Sequence, residues 1–207
     1  MALKNYGDLN DMQLDALREI GNIGSGNAAS SISLMLNRQV DIAVPVVRIL
    51  DYQEVVENLG GPEQLLIGLL LSLQGQVTGM IMFLLHKDFA HLALNTLIGA
   101  EFDETSPLDE MGQSVIQEIG NIMAASYVNA IASLTGLEIT ISVPELCVDM
   151  AGAILSVPAI YYANISDKII YIEDEFGHAE KRAASHILLI PEVDSLQKIM
   201  TSLGLDV

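Results

Sequence analysis

One pattern of polar residues occurs twice in this chain, at an interval of 99 positions. Asp15, Glu19, Asn22 and Pro45 return as Ser114, Glu118, Asn121 and Pro144, with no insertion or deletion between the two sets. Each copy carries Glu-Ile-Gly-Asn-Ile, at 19–23 and 118–122, and then runs 22 residues from its Asn to its Pro. A duplicated fold has to keep its apolar periodicity, whereas exposed polar residues are free to drift. Retention of a carboxylate and an amide three residues apart, in one apolar frame, therefore implies two copies of one chemical site.

The duplication predicts a single domain over residues 1–207 made of two intertwined repeats (about 8–100 and 107–207) related by a pseudo-two-fold axis, and the helix and strand signals along it predict an α+β protein. In the first repeat, Asp8, Asn10 and Asp11 offer caps to a helix running to about Asn37. Gly21, Gly24 and Gly26 inside it cost roughly 1 kcal/mol each against alanine, so a close approach of another backbone is expected there. A strand over Val40–Val47 follows, with Pro45 marking an edge or bulge. Next come a short helix at Asp51–Leu59 closed by Gly60-Gly61-Pro62, a hairpin of Leu65–Leu73 with Gln76–Leu85, and a helix over Asp88–Ile98 stopped by Gly99. After a polar linker at Glu101–Pro107, with Ser106-Pro107 as an Ncap–N1 pair, the order repeats. A long helix is expected from about Leu108 to Leu134, a strand at Glu138–Val143, and a short helix near Leu146–Ala153. Strands at Ile154–Ala163 and Lys168–Glu173, a solvated loop at Glu173–Lys181, a strand at His186–Ile190 and a helix ending near Gly204 complete two αβαββα units.

Charge and hydropathy narrow the function. A hydrophobic share of 51% and mean hydropathy of +0.42 supply a substantial core and argue against disorder. The net charge of −18 repels phosphate backbones and anionic headgroups, which argues against nucleic acid and membrane-surface partners. Leu65–Leu85 has membrane length, but Gln74-Gly75-Gln76 and Thr78-Gly79 divide it into two strands, so no membrane insertion is expected. The first residues carry no leader pattern. The single cysteine, Cys147, has apolar neighbours and reads as a buried thiol in a reducing cytoplasm.

On a helix, 15, 19 and 22 share one stripe, as do 114, 118 and 121, so Glu and Asn reach one point above the axis while Leu17, Ile20 and Ile23 face inward. No Cys or His stands nearby to act as nucleophile or base, and one carboxylate with an amide makes a poor metal site. An amide orients a water through its donor and acceptor together, and a carboxylate pairs with a cation of a partner. That combination suits hydrolysis in which another protein brings the electrophile and the metal. The bland alternative, solvated helix surface, is weakened by the duplication. Gly21-x-x-Gly24-x-Gly26 has the wrong order for a nucleotide loop, and His86, His91, His178 and His186 lack metal spacing.

The doubled pattern Asp/Ser-x3-Glu-x2-Asn-x22-Pro resembles the CheC family of chemotaxis phosphatases, which also includes CheX and the phosphatase portion of FliY. The resemblance spans nearly the whole chain and both motifs are complete. It implies two long helices side by side on one face of a β-sheet, and hydrolysis of the aspartyl phosphate of the response regulator CheY. It also implies that Asn22 and Asn121 orient the attacking water and that Glu19 and Glu118 contact the regulator's lysine, with Asp15 and Ser114 in support. No cofactor of its own is implied, because CheY supplies Mg²⁺. The family further implies a second partner, the receptor deamidase CheD, bound through a short receptor-like helix. That segment corresponds to Leu146, Asp149, Met150, Ala151, Gly152 and Ala153, in a monomer or a heterodimer with CheD. A non-catalytic module that docks CheY and inhibits CheD is the alternative.

Overall fold

Asn10 begins the first long helix as its sequence suggests. Its side chain accepts from the Gln13 N–H at 3.0 Å while Gln13 returns a bond to the Asn10 N–H at 2.9 Å, a reciprocal cap that satisfies two otherwise orphaned donors. The computed structural model describes residues 5–98, 108–162, 168–178 and 181–205. Within them run α1 (Asp11–Leu36), β1 (Asp41–Ile42), β2 (Val46–Asp51), α2 (Tyr52–Asn58), β3 (Leu65–Gly75), β4 (Gly79–Leu85) and α3 (Lys87–Ile98). The second set is α4 (Glu110–Thr135), β5 (Ile139–Ile141), β6 (Glu145–Met150), α5 (Ala151–Tyr162), β7 (Lys168–His178), β8 (Lys181–Pro191) and α6 (Val193–Ser202).

The strand expected over Val40–Val47 is two short strands, and the one expected at Glu138–Val143 is followed by a second strand beyond Pro144. Pro45 separates β1 from β2 and Pro144 separates β5 from β6, since a proline cannot donate to the ladder. Each unit is therefore αββαββα. The eight strands form one antiparallel sheet in the order β1-β7-β8-β4-β3-β5, with β2 also on β7 and β6 also on β3. β4 and β8 pair at its centre. Each repeat lends its proline-broken strands to the other repeat's hairpin: Val46 lies opposite Glu173 as Glu145 lies opposite Leu70. The repeats are thus interleaved in a single ladder.

Register fixes the position of the long helices. Leu69, Phe83, Ile187 and Ile172 are successive cross-strand partners and share one face, and Asp174, two residues on, shares it too. α4 covers that face at Leu69, whose side chain lies against Gly120, and α1 covers it at Asp174. α1 and α4 pack against each other, as the family resemblance implied. On the opposite face, Ile154 of α5 lies beside Gly68.

Several expectations are corrected. α4 is capped by Asp109, which accepts from the Gly112 N–H at 2.7 Å; Ser106-Pro107, the Glu101–Pro107 linker and Gly99 lie outside the described residues. Residues 145–150 are the strand β6 rather than part of a helix, because β3 offers them a full ladder from Leu65↔Met150 to Leu70↔Glu145. The helix begins only at Ala151 and occupies the stretch where a strand at Ile154–Ala163 was expected; a short apolar run does not distinguish a buried strand from a buried helix. The charged stretch Glu173–His178 is strand, not solvated loop. The glycines of α1 admit side chains rather than a backbone: a Cβ on Gly24 would stand 2.7 Å from the Tyr127 ring, while Gly26 faces open space.

Candidate functional site

The first motif stands on the outer surface of α1. Asp15, Glu19 and Asn22 are all exposed, with Leu17 and Ile20 buried beneath them. Asp15 forms an ion pair with Arg18 at 2.5 Å, one helical turn on. Pro45 reaches the motif through Gly21, since a Cβ built there would lie 3.7 Å from the proline Cγ and 3.2 Å from Val47 Cγ2. The 22-residue spacing thus brings the chain back beside the Glu/Asn turn.

At the second motif the same residues line a hollow. Ser114, Gln117, Glu118, Asn121, Val143 and Pro144 surround an open space of about 350 Å³ between α4 and the β5–β6 bend. Gln117 Nε2 donates to the Pro144 carbonyl at 3.3 Å, and Ser114 Oγ donates to the Glu110 carbonyl at 2.9 Å. Glu118 is exposed and Asn121 half-buried. Chemically, each site presents an amide with both hydrogen-bonding groups available and a carboxylate one turn away, beside a rigid proline wall.

A polar cluster that the sequence did not announce lies under the first site. Ser25, three residues after Asn22, donates to Asp174 at 2.8 Å, and Tyr127 of α4 donates to the same carboxylate at 2.5 Å. The Ser25 and Tyr127 hydroxyls are 2.7 Å apart. Burial pushes the Asp174 carboxyl up to about 6, against the lowering effect of these two donors. Burial first, and then the Asp174 charge, raise Tyr127 well above the ordinary tyrosine value. The signal was there in the alternation Ile170, Ile172, Asp174, Phe176, which puts the carboxylate on the apolar face of β7. Its membership of the run Glu-Asp-Glu concealed that period.

The six residues expected to meet CheD form a strand-to-helix corner. Leu146, Asp149 and Met150 belong to β6; Ala151, Gly152 and Ala153 form the first turn of α5. The corner is tied to the 62–64 turn by Ala151 N–H to the Gln64 carbonyl at 2.8 Å and Gly152 N–H to the Pro62 carbonyl at 3.0 Å. Cys147, expected to be buried, is exposed on this edge strand, because β6 pairs on only one side. Its thiol is still pushed up, first by partial burial against β3.

His86 and His186 are packing neighbours, edge to face at 5.4 Å between ring centres. Tyr171 Oη lies 2.6 Å from His186 Nδ1. Burial, followed by the charges of His86 and Arg48, lowers His186 to about 4. Among the described residues, no three or more His, Cys, Asp or Glu side chains are grouped to hold a metal ion. No helix among them is long and apolar enough to cross a membrane.

A protein of two interleaved αββαββα units, each with a Glu/Asn ridge closed by a proline bend, is the class this geometry defines. The CheC-like family's sequence model matches residues 12–49 and 111–148, one span in each repeat. The chain is 34% identical to the CheY-P phosphatase CheC of Bacillus subtilis (strain 168) over 204 residues, 96% of this chain and 97% of that one. It is 27% identical to the flagellar motor switch phosphatase FliY of the same organism over 140 residues, 67% of this chain and 36% of that one. Thermotoga maritima FliY has the same fold, with a TM-score of 0.76 at 22% identity, covering 95% of this chain and 98% of that one. The chain belongs to the CheC family.

Proposed function

We propose that this protein is a phosphatase that hydrolyses the aspartyl phosphate of the chemotaxis response regulator CheY. The observation that carries the reading is the presence at the surface, in one frame on neighbouring long helices, of two Glu/Asn pairs, with Glu19, Asn22 and Glu118 exposed and Asn121 half-buried. Near-complete alignment with a CheY-P phosphatase at 34% identity supports it. In this reading Asn22 and Asn121 each hold a water through the side-chain carbonyl and amide groups, in line with phosphorus. The water oxygen forms the new P–O bond, the regulator's aspartyl carboxylate leaves, and the water's protons pass to the phosphate product and solvent. Glu19 and Glu118 pair with the regulator's lysine, which fixes the helix over the acyl phosphate. Mg²⁺ comes with the regulator, so positioning and charge placement are the whole contribution of this chain.

CheD is proposed as a second partner, at the β6–α5 corner of Leu146, Asp149, Met150, Ala151, Gly152 and Ala153. The exposure of Asp149 and Met150 on an edge strand supports this assignment. Phosphate release from phosphorylated CheY, measured with and without the protein, decides between phosphatase and docking module. Unchanged release would leave only the docking role.

A further inference from the structure

Exposed apolar side chains are individually ordinary, but two of them here obey the repeat. Met12 is 66% exposed and its counterpart Met111 is 62% exposed; Val44 is 80% exposed and its counterpart Val143 is 81% exposed. The other exposed large apolar residues have no exposed apolar counterpart among the described residues, although Leu134 corresponds to the half-buried Met35. Leu34 corresponds to Ser133, Val46 to Glu145 and Met150 to Asp51, while Val148 corresponds to the half-buried Ile49. Drift has therefore left its mark elsewhere on the surface and not at these two positions.

Their placement is as regular as their exposure. Positions 12, 15, 19 and 22 fall within an arc of about 80° on α1, with Met12 about 15 Å along the axis from Asn22. Val44 directly precedes Pro45, the residue that approaches Gly21 beside Asn22. Each polar pair thus lies between an apolar group at the helix start and another at the proline bend. At the second site the continuity is explicit, since Val143 lines the same hollow as Glu118 and Asn121.

We propose that Met12 and Val44, and equally Met111 and Val143, are the apolar contacts that seat the receiver domain carrying the aspartyl phosphate. They act as positioning residues on either side of the Glu/Asn pair. This rests on the phosphatase reading, and it assigns affinity to groups that reading does not use. On a chain of net charge −18, apolar contacts hold a partner without depending on charge balance or salt.

The test uses the full chain with Met12→Gln, Met111→Gln, Val44→Thr and Val143→Thr combined. KM for phosphorylated CheY is expected to rise about tenfold, equivalent to about 1.4 kcal/mol, with kcat within about twofold of the parent. The rise should be the same at low and high salt, whereas the loss in Glu19→Gln with Glu118→Gln should shrink as salt screens it. Met12→Leu with Met111→Leu should restore KM by preserving the apolar volume. A KM unchanged in the fourfold variant, or a rise that vanishes at high salt, overturns the proposal. If the parent itself gives no acceleration, the phosphatase reading has failed. Affinity for beryllofluoride-activated CheY then takes the place of KM, with a tenfold loss supporting the contacts and equal binding overturning them.

Discussion

Asn22 stands free on α1, beside an Asp15 already engaged by Arg18. Asn121 sits half-buried in a hollow whose proline wall is fastened to the same helix by Gln117. The two motifs are the same in sequence order, yet one is an exposed ridge and the other an open hollow with its amide half-buried. Beneath them the contrast reverses. The first site rests on the buried hydroxyl–carboxylate cluster of Ser25, Tyr127 and Asp174, while on the other side the 99-position interval places Ala124 and Ala28 and the strand register places Leu71 in the position equivalent to Asp174. The duplicated Glu/Asn surface is the same in both repeats while the packing beneath it differs, since a core answers only to its own packing.

Removing both amides should have the largest effect. Asn22→Ala with Asn121→Ala is expected to reduce CheY-P hydrolysis on the order of 100-fold, the usual loss for a preorganised orienting group, while CheY binding persists. Phosphate-release kinetics with single mutants then rank the sites. Asn121→Ala should cost more than Asn22→Ala, because a half-buried amide is held in fewer rotamers than an exposed one. Equal losses would break the distinction between hollow and ridge.

Tyr127→Phe should destabilise the protein by about 1–3 kcal/mol, since it leaves the buried Asp174 carboxylate short of a donor. Chemical denaturation measures this, and the mirror-image change Ala28→Ser, on the apolar side, has no carboxylate to satisfy.

A smaller effect is expected in acid. Folding raises Asp174 from 3.8 to about 6, so its contribution to stability is full below 3.8 and is lost as pH rises through about 6. His186 moves oppositely, from 6.5 to about 4, and its contribution is full above 6.5 and lost as pH falls through about 4. The two trends offset each other over nearly the same window. Asp174→Asn removes the first, so the fall in Tm between pH 6.5 and 4 should become steeper than in the parent. Parallel Tm profiles would show that Asp174 does not titrate there.

Arg18→Gln should change the first site's rate by less than about twofold, because its pairing with Asp15 is solvent-exposed. Gln117→Ala should lower the second site's rate more than this, by releasing the Pro144 carbonyl. Steady-state rates in an Asn22→Ala or Asn121→Ala background isolate each site.

Helix and strand signals along the chain, together with the duplicated motif, determined the α+β class, the internal symmetry, both long helices and the outward aspect of Glu19, Asn22 and Glu118. Those features follow from period and spacing, which are local properties of the chain. What sequence could not decide was settled by non-local pairing. Residues 145–150 became strand because β3 offered them a ladder, and Ala151–Tyr162 became helix although its apolar run fits either form. Asp174 was drawn inside because the β7 pleat aims it at Ser25 and Tyr127, residues 149 and 47 positions away. Contacts at such separations depend on how the repeats interleave, and hydrophobic periodicity within a single segment does not encode that.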